Sequence, residues 1–93
     1  MPRRKALDVT GRVVRIGALV RVVGVPRLEG LAPDIRRESE AVFTWLMGRY
    51  VRVAEIDAQG LAGVWFSIRD GKYRGRHWVA IEPGLLRVRR PRR

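Results

Sequence analysis

The stretch of sequence that decides the fold is YVRVAEIDAQGLAGVWFSI, residues 50–68. In both halves apolar residues alternate with polar or small ones, and a period of two is typical of a half-buried β-strand. The segment between the halves, Asp57-Ala58-Gln59-Gly60, ends in glycine and predicts a four-residue hairpin loop. We therefore expect an antiparallel hairpin, with strands over 50–56 and 61–68, whose apolar face comprises Val51, Val53, Val64, Phe66 and Ile68.

Before the hairpin, the sequence predicts a first core strand. Residues 18–25 alternate in the same way, and Pro26 ends the strand because proline cannot donate to a strand ladder. A shorter lead-in strand is expected over 9–16, after a turn at 8–11.

A helix is expected over 33–47. Pro33 suits the first turn of a helix, and Gly48 suits the residue after the last turn, where a left-handed conformation is common. Apolar residues recur at helical spacing along one side, so the helix is expected to pack on the sheet through this stripe. The stripe comprises Ile35, Val42, Phe43, Leu46 and Met47.

After the hairpin, the sequence predicts a loop and two more strands. The loop over 69–76 is basic and contains two glycines, and a strand over 77–81 follows it. Pro83-Gly84 predicts a single 3₁₀ turn, after which residues 85–88 form a short last strand.

This order of elements resembles the SH3-like barrels. The resemblance is carried by residues 16–22 (IGALVRV), by the hairpin, and by residues 77–83 (HWVAIEP) with Leu85 and Leu86, and it spans about residues 16–88. It implies a mainly β protein: an SH3-like five-stranded barrel with one α-helix inserted between the first and second core strands. Closure of the barrel would remove the exposed edges of a small flat sheet.

The resemblance also sets the expected domain limits. The barrel domain is expected over 9–88, with a basic flexible arm over 1–8 and a basic tail over 89–93. The helix stands where an SH3 domain has its long first loop. A groove for proline-rich peptides is therefore not expected.

The net charge of +11 lies mostly at the two ends of the chain. Residues 1–5 carry three basic residues and residues 87–93 carry five, and neither segment contains an acid. The loop over 69–76 adds four basic residues against Asp70, while the rest of the chain is balanced. Two cationic ends and one cationic loop on a neutral domain indicate a polyanionic partner.

These basic segments contain the candidate nucleic-acid-binding residues. Basic ends are a common means of binding phosphates, and loops that mix cations with aromatic rings suit nucleic acids, whose bases stack on the rings. The candidates are Arg3, Arg4, Lys5, Arg69, Lys72, Tyr73, Arg74, Arg76, His77, Arg89, Arg90, Arg92 and Arg93.

A second candidate surface is aromatic and basic. Strand parity places Tyr50, Arg52, Trp65 and Trp78 on the side opposite the apolar face, where they form a candidate stacking or partner face. The helix over 33–47 needs a surface to pack on. Small side chains on this side of the sheet would leave room for the helix. We therefore expect the helix to cover the two tryptophans, because a large exposed apolar face is unusual in a monomer.

Composition excludes several kinds of site. The chain has no cysteine, which excludes disulfides and thiolate metal sites, and the single His77 cannot form a metal cluster of histidines. No cofactor is expected. No apolar run approaches the roughly 20 residues of a membrane span, so no integral membrane association and a cytoplasmic location are expected.

The sequence also does not predict an enzyme. No segment brings together a base, a nucleophile and an orienting group, and Gly71 and Gly75 lie between strands, which is the wrong context for a phosphate-binding loop. The leading hypothesis is a small non-catalytic module that binds DNA or RNA through its basic arms and the loop. The alternatives are a module whose barrel face or helix binds an acidic protein partner, and a self-assembling barrel that uses Trp65 or Trp78.

Overall fold

The predicted hairpin lies at the centre of the structure. A computed structural model describes residues 6–90. Along the chain the elements are β1 (Leu19–Val22), α1 (Pro33–Leu46), β2 (Tyr50–Ile56), β3 (Ala62–Ile68), β4 (Gly75–Ile81), a 3₁₀ turn (Pro83–Leu85) and β5 (Leu86–Val88).

The five strands form one antiparallel sheet in the order β4-β3-β2-β1-β5. Strand β2 is shared between two halves of this sheet. Its residues 50–52 pair with β1 and its residues 53–56 pair with β3, with a register shift between Val53 and Glu55. A bulge of this kind bends a strand, and here the bend allows the sheet to wrap around a core.

A mainly β protein with one helix between its first two core strands is confirmed. The expected closed barrel is not confirmed: β4 and β5 are the two edge strands and do not pair with each other within residues 6–90. Strand β1 is also shorter than predicted. It ends at Val22 because Val23 already donates to Leu85 in the 3₁₀ turn, and the chain then leaves the sheet.

The helix completes the core on the apolar side of the sheet. Val42, Phe43 and Leu46 are buried against the inward side chains of the strands, whereas Ile35 and Met47 of the predicted stripe remain exposed. The helix ends as predicted, since Gly48 follows the last turn with a φ of 79°.

Residues 6–14 lie along the free edge of β5. They include the predicted turn at 8–11, in which the Gly11 amide donates to the Asp8 carbonyl, but the sequence predicted a flexible arm before it and a lead-in strand after it. Ala6 and Asp8 are buried, so the folded body begins before residue 9, and only an isolated bridge between Leu7 and Val13 replaces the predicted strand. Val9 donates to the carbonyl of Leu86, which covers part of the free edge of β5.

The Asp8 carboxylate holds this turn in place. One oxygen accepts hydrogen bonds from the amides of Thr10 and Arg12 and from the Thr10 hydroxyl, and the other accepts from the amide of Val88 at 2.8 Å. Burial by itself raises the pKa of Asp8, but the bonds from Val88, Thr10 and Arg12 outweigh it and lower the pKa to about 2. The carboxylate is therefore charged at neutral pH and joins the start of the fold to its last strand.

No helix in the described part of the chain has both the length and the apolar character that crossing a membrane requires.

Candidate nucleic-acid interface

The side of the sheet that faces away from the core carries arginine and aromatic side chains. We call it the outer face, and it comprises Arg21 on β1, Tyr50 and Arg52 on β2, Trp65 on β3, Arg76 and Trp78 on β4, and Arg87 and Arg89 at β5. All of these residues are exposed. They lie there because each strand alternates, with the buried valine, phenylalanine and leucine side chains pointing the other way.

Four arginines surround one tyrosine at the β5 end of the outer face. Arg21 pairs across the sheet with Tyr50 on one side and with Arg87 on the other. The guanidinium of Arg89 lies 5.9 Å from the centre of the Tyr50 ring. With Arg90 these residues line an open hollow of about 570 Å³. We call Arg21, Arg87, Arg89 and Arg90 the arginine cluster.

The arginine cluster has no carboxylate partner among residues 6–90. The single ion pair in this part of the chain joins Arg36 to Glu40 on the helix, at 3.1 Å. Arg21 instead donates to the carbonyl of Gly48 at 3.1 Å, which fixes the direction of its side chain. The cluster therefore presents positive charge without a carboxylate partner, and the hydrogen bond to Gly48 orients one of its four side chains.

Two tryptophans lie together at the other end of the outer face. Trp65 and Trp78 are direct cross-strand partners, with ring centres 5.0 Å apart and ring planes tilted by 55°. Trp65 is 49% exposed and Trp78 is 37% exposed. The guanidinium of Arg76 lies 4.8 Å from the centre of the Trp65 ring, a cation–π distance. We call Trp65 and Trp78 the tryptophan pair.

A groove connects the two ends of the outer face. It has a volume of about 520 Å³ and begins at Tyr50, which also lines the hollow of the arginine cluster. Arg52 in this groove donates to the carbonyl of Gly17 at 2.6 Å. The full lining is Leu19, Trp45, Arg49, Tyr50, Val51, Arg52, Trp65 and Phe66. The structure thus brings the predicted aromatic and basic face together as one surface.

The prediction that the helix covers the tryptophans is wrong. The helix packs on the opposite side of the sheet, where Trp45 stacks on Phe66 with ring centres 5.6 Å apart. The inner side offers mainly apolar side chains, whereas packing on the outer face would bury the guanidinium groups of Arg52 and Arg76. Burying a charged group without a partner costs several kcal/mol, so the helix is more stable on the inner side.

The loop candidates separate onto different surfaces. Arg76 belongs to the outer face, but His77 points inward, where it stacks on Phe66 and hydrogen-bonds the Tyr73 carbonyl at 2.6 Å. Lys72 and Tyr73 line a hollow against the first turns of the helix. Arg69 and Arg74 are exposed in the loop. Of the loop candidates, only Arg76 therefore has a described contact on the outer face.

The predicted residues at the chain ends also fall into two groups. Arg89 and Arg90 belong to the arginine cluster. The other predicted residues at the ends lie outside the described residues: Arg3, Arg4, Lys5, Arg92 and Arg93.

Sequence reasoning missed Arg21 as a site residue, and it treated Arg87 only as part of the basic C-terminal end. Strand parity alone points each side chain outward, since Arg21 lies between buried Val20 and Val22, and Arg87 follows buried Leu86. Their adjacency depends on the pairing of β1 with β5, two strands that lie more than sixty residues apart in the chain. No local pattern signals such a pairing.

No cluster of three or more potential metal ligands occurs among residues 6–90. Comparison of the chain with protein-family models, with curated proteins and with solved structures gives no match.

Proposed function

We propose that this protein is a non-catalytic nucleic-acid-binding module whose outer face holds the phosphate backbone. The observation that carries the proposal is the cross-strand pair of Arg21 and Arg87, which belongs to a cluster of four arginines without a carboxylate partner in the described chain. Like charges directly opposite each other in a sheet are destabilising. A bound phosphate would replace that repulsion by two attractions.

The chemistry of the cluster suits phosphate groups. A guanidinium presents a planar fork of donors that matches two phosphate oxygens, and it stays charged at every physiological pH. Arg21 and Arg87 are one strand spacing apart, about 4.8 Å, and Arg89 extends the positive surface along β5. An extended row of this kind suits a chain of phosphates better than a single small anion.

Binding without catalysis is supported by the composition of the two hollows on the outer face. Their linings contain arginines, aromatic rings and aliphatic side chains, and neither lining includes a carboxylate, a histidine or an aliphatic hydroxyl. Such surfaces attract and position a ligand, and the Tyr50 phenol is the one side chain in them of a type that acts as a general acid or base. The basic residues 1–5 and 91–93 add charge for attraction.

An SH3-like architecture is also part of the proposal. It is supported by the return of β5 to the side of β1, by the bend of β2 between two halves of the sheet, and by the 3₁₀ turn before β5. In this architecture α1 takes the place of the long first loop. The outer face would then be the outside of a small barrel, with the arginine cluster beside the last strand.

The test is the salt dependence of binding to labelled oligonucleotides, measured by fluorescence anisotropy. Each phosphate that the protein neutralises contributes about 0.7 to the slope of log affinity on log salt for single strands. Arg21→Gln with Arg87→Gln is expected to lower the slope by about 1.4 and to weaken the affinity by on the order of tenfold for each arginine removed. Arg27→Gln with Arg37→Gln removes the same charge and is the matched control, because both arginines are exposed and neither lines the two hollows of the outer face.

Three results would overturn the proposal. One is an affinity that does not change with salt. Another is an equal loss in the control and cluster variants, which would mean that net charge alone attracts the oligonucleotide. An acidic protein partner is a third outcome to be measured: if polyglutamate displaces the oligonucleotide at equal charge concentration, the cluster does not select phosphates and the nucleic-acid proposal fails.

A further inference from the structure

We propose that the nucleic acid held by the outer face is single-stranded, with its bases stacked on the tryptophan pair. This inference rests on the proposed function and names the form of its ligand. The observation behind it is that the exposed tryptophan pair and the arginines lie on one continuous surface, the outer face.

The tryptophan pair offers ring surface that the fold does not use. Trp65 has about half of its surface exposed, and its neighbour Trp78 is tilted against it rather than stacked, so the two rings do not cover each other. The helix packs on the opposite side of the sheet and covers neither ring, so both keep exposed surface beside the Arg76 guanidinium that lies over Trp65. Aromatic rings on an open sheet are the surface on which unpaired bases stack in many single-strand-binding proteins.

The edge of the Trp78 ring has a structural role, which distinguishes it from Trp65. It lies directly over Gly63, where a Cβ would overlap ring atoms Cζ2 and Cη2. This contact restricts the position of Trp78, whose ring centre lies 5.0 Å from that of Trp65. A ring held in position loses little conformational freedom when a base stacks on it.

The charge around the tryptophan pair favours a nucleic acid over an apolar partner. Arg76 lies over Trp65, and Arg52 lines the groove that leads from Trp65 to Tyr50 and the arginine cluster. Glu55 pairs with Gly63, and its side chain lies next to the edge of the Trp78 ring. The negative charge is therefore at the Trp78 end of the outer face, and the positive surface runs from Trp65 towards β5. Phosphates can follow this path while bases turn towards the rings.

A duplex fits this surface less well than a single strand does. In a duplex the bases are stacked on each other and only their edges are accessible in the grooves. It would contact the arginine cluster through its phosphates and leave the tryptophan pair exposed to water. A single strand uses both ends of the outer face.

The experiment compares three probes at one salt concentration: a short oligothymidylate, an abasic oligomer with the same number of phosphates, and a duplex of the same length. Wild-type protein is expected to bind the oligothymidylate at least tenfold more tightly than the abasic oligomer, because stacking of one base contributes roughly that factor. Trp65→Leu is expected to reduce the oligothymidylate affinity to the abasic level without changing abasic binding. Trp65→Phe is expected to keep most of the difference in affinity between the oligothymidylate and the abasic oligomer.

Ile35→Ala is the matched control, because Ile35 is an exposed apolar residue on the helix, away from the outer face. Equal binding of oligothymidylate and abasic oligomer by the wild type would overturn the stacking inference while the proposed function stands. Tighter binding of the duplex would overturn the single-strand inference in the same way. Failure of all three probes to bind would overturn the proposed function itself. The wild-type comparison decides the matter even if Trp65→Leu does not fold.

Discussion

Arg21 on β1 and Arg87 on β5 are direct cross-strand neighbours on the exposed side of the sheet, and neither forms an ion pair with a carboxylate within residues 6–90. Such a pair lowers the stability of the folded protein and raises its attraction for anions. Stability and binding should therefore respond in opposite directions when one of the two charges is reversed.

Arg87→Glu is expected to stabilise the fold and weaken binding. The new carboxylate would face Arg21 and replace a repulsion by an attraction, worth about 0.2–1 kcal/mol in a cross-strand pair. Urea unfolding measures the first effect, and anisotropy with an oligonucleotide measures the second. Arg87→Gln, which removes the repulsion without adding an attraction, should lie between the wild type and Arg87→Glu in both measurements. A loss of stability in both variants would contradict the pairing.

Arg76 at the start of β4 and Lys72 in the loop before it are expected to differ in their effect on binding. Arg76 lies over Trp65 on the outer face, whereas Lys72 lies beside Tyr73 near the start of the helix. Arg76→Gln should weaken oligonucleotide binding by several-fold, since it removes both a cation–π partner and a charge from the face. Lys72→Gln removes the same charge from another surface and should have a smaller effect. If the two variants weaken binding equally, the outer face is not the binding surface.

Gly63→Ala is expected to destabilise the protein by displacing Trp78. The added Cβ would overlap the indole ring and would lie 2.9 Å from Cγ of Glu55, so the ring must move, at a cost of about 1–3 kcal/mol. Chemical unfolding measures this cost, and a red shift of tryptophan emission would report the displaced ring. Gly84→Ala is the matched control, because a Cβ there meets no atom within 4 Å. In a protein that already carries Trp78→Ala, the Gly63→Ala substitution should lower the free energy of unfolding much less, because the ring that it displaces is absent.

Asp8→Asn is expected to destabilise the fold and to remove part of its acid sensitivity. The pKa of Asp8 is lowered to about 2 in the folded protein and is about 3.9 in unfolded chains, so its contribution is fully present above about pH 4. That contribution, about 2 kcal/mol, is lost as the pH falls through about 2. The free energy of unfolding of Asp8→Asn should therefore be lower at neutral pH and flatter between pH 4 and pH 2.

Thr10→Val provides the comparison for Asp8→Asn. It removes one hydroxyl donor to the Asp8 carboxylate and leaves the amide donors of Thr10, Arg12 and Val88 in place. Its loss of stability should be smaller, and most of the acid dependence should remain. An Asp8→Asn variant with an unchanged pH profile would show that the carboxylate does not hold the turn against β5.

The order of the secondary structure was predictable from the sequence because each signal is local. The alternation in β2 and β3, the helical stripe ending at Gly48 and the turn at Pro83 depend on residues a few positions apart, and all are present in the structure. The outward direction of Trp65 and Trp78 followed from strand parity in the same way. The limits of β1 and the attachment of the 8–11 turn to β5 did not, since both depend on hydrogen bonds to the last strand and the turn before it.

By itself, the sequence determined the strands, the helix and the side of each strand that turns away from the core. The tertiary structure alone decided what those outward side chains form together. Pairing of β1 with β5 placed Arg21 beside Arg87, and packing of the helix on the inner side left the tryptophan pair open. The physical reason is that a side chain's direction depends on its own backbone, whereas its neighbours across a sheet depend on strand order. Strand order results from burying the core as a whole.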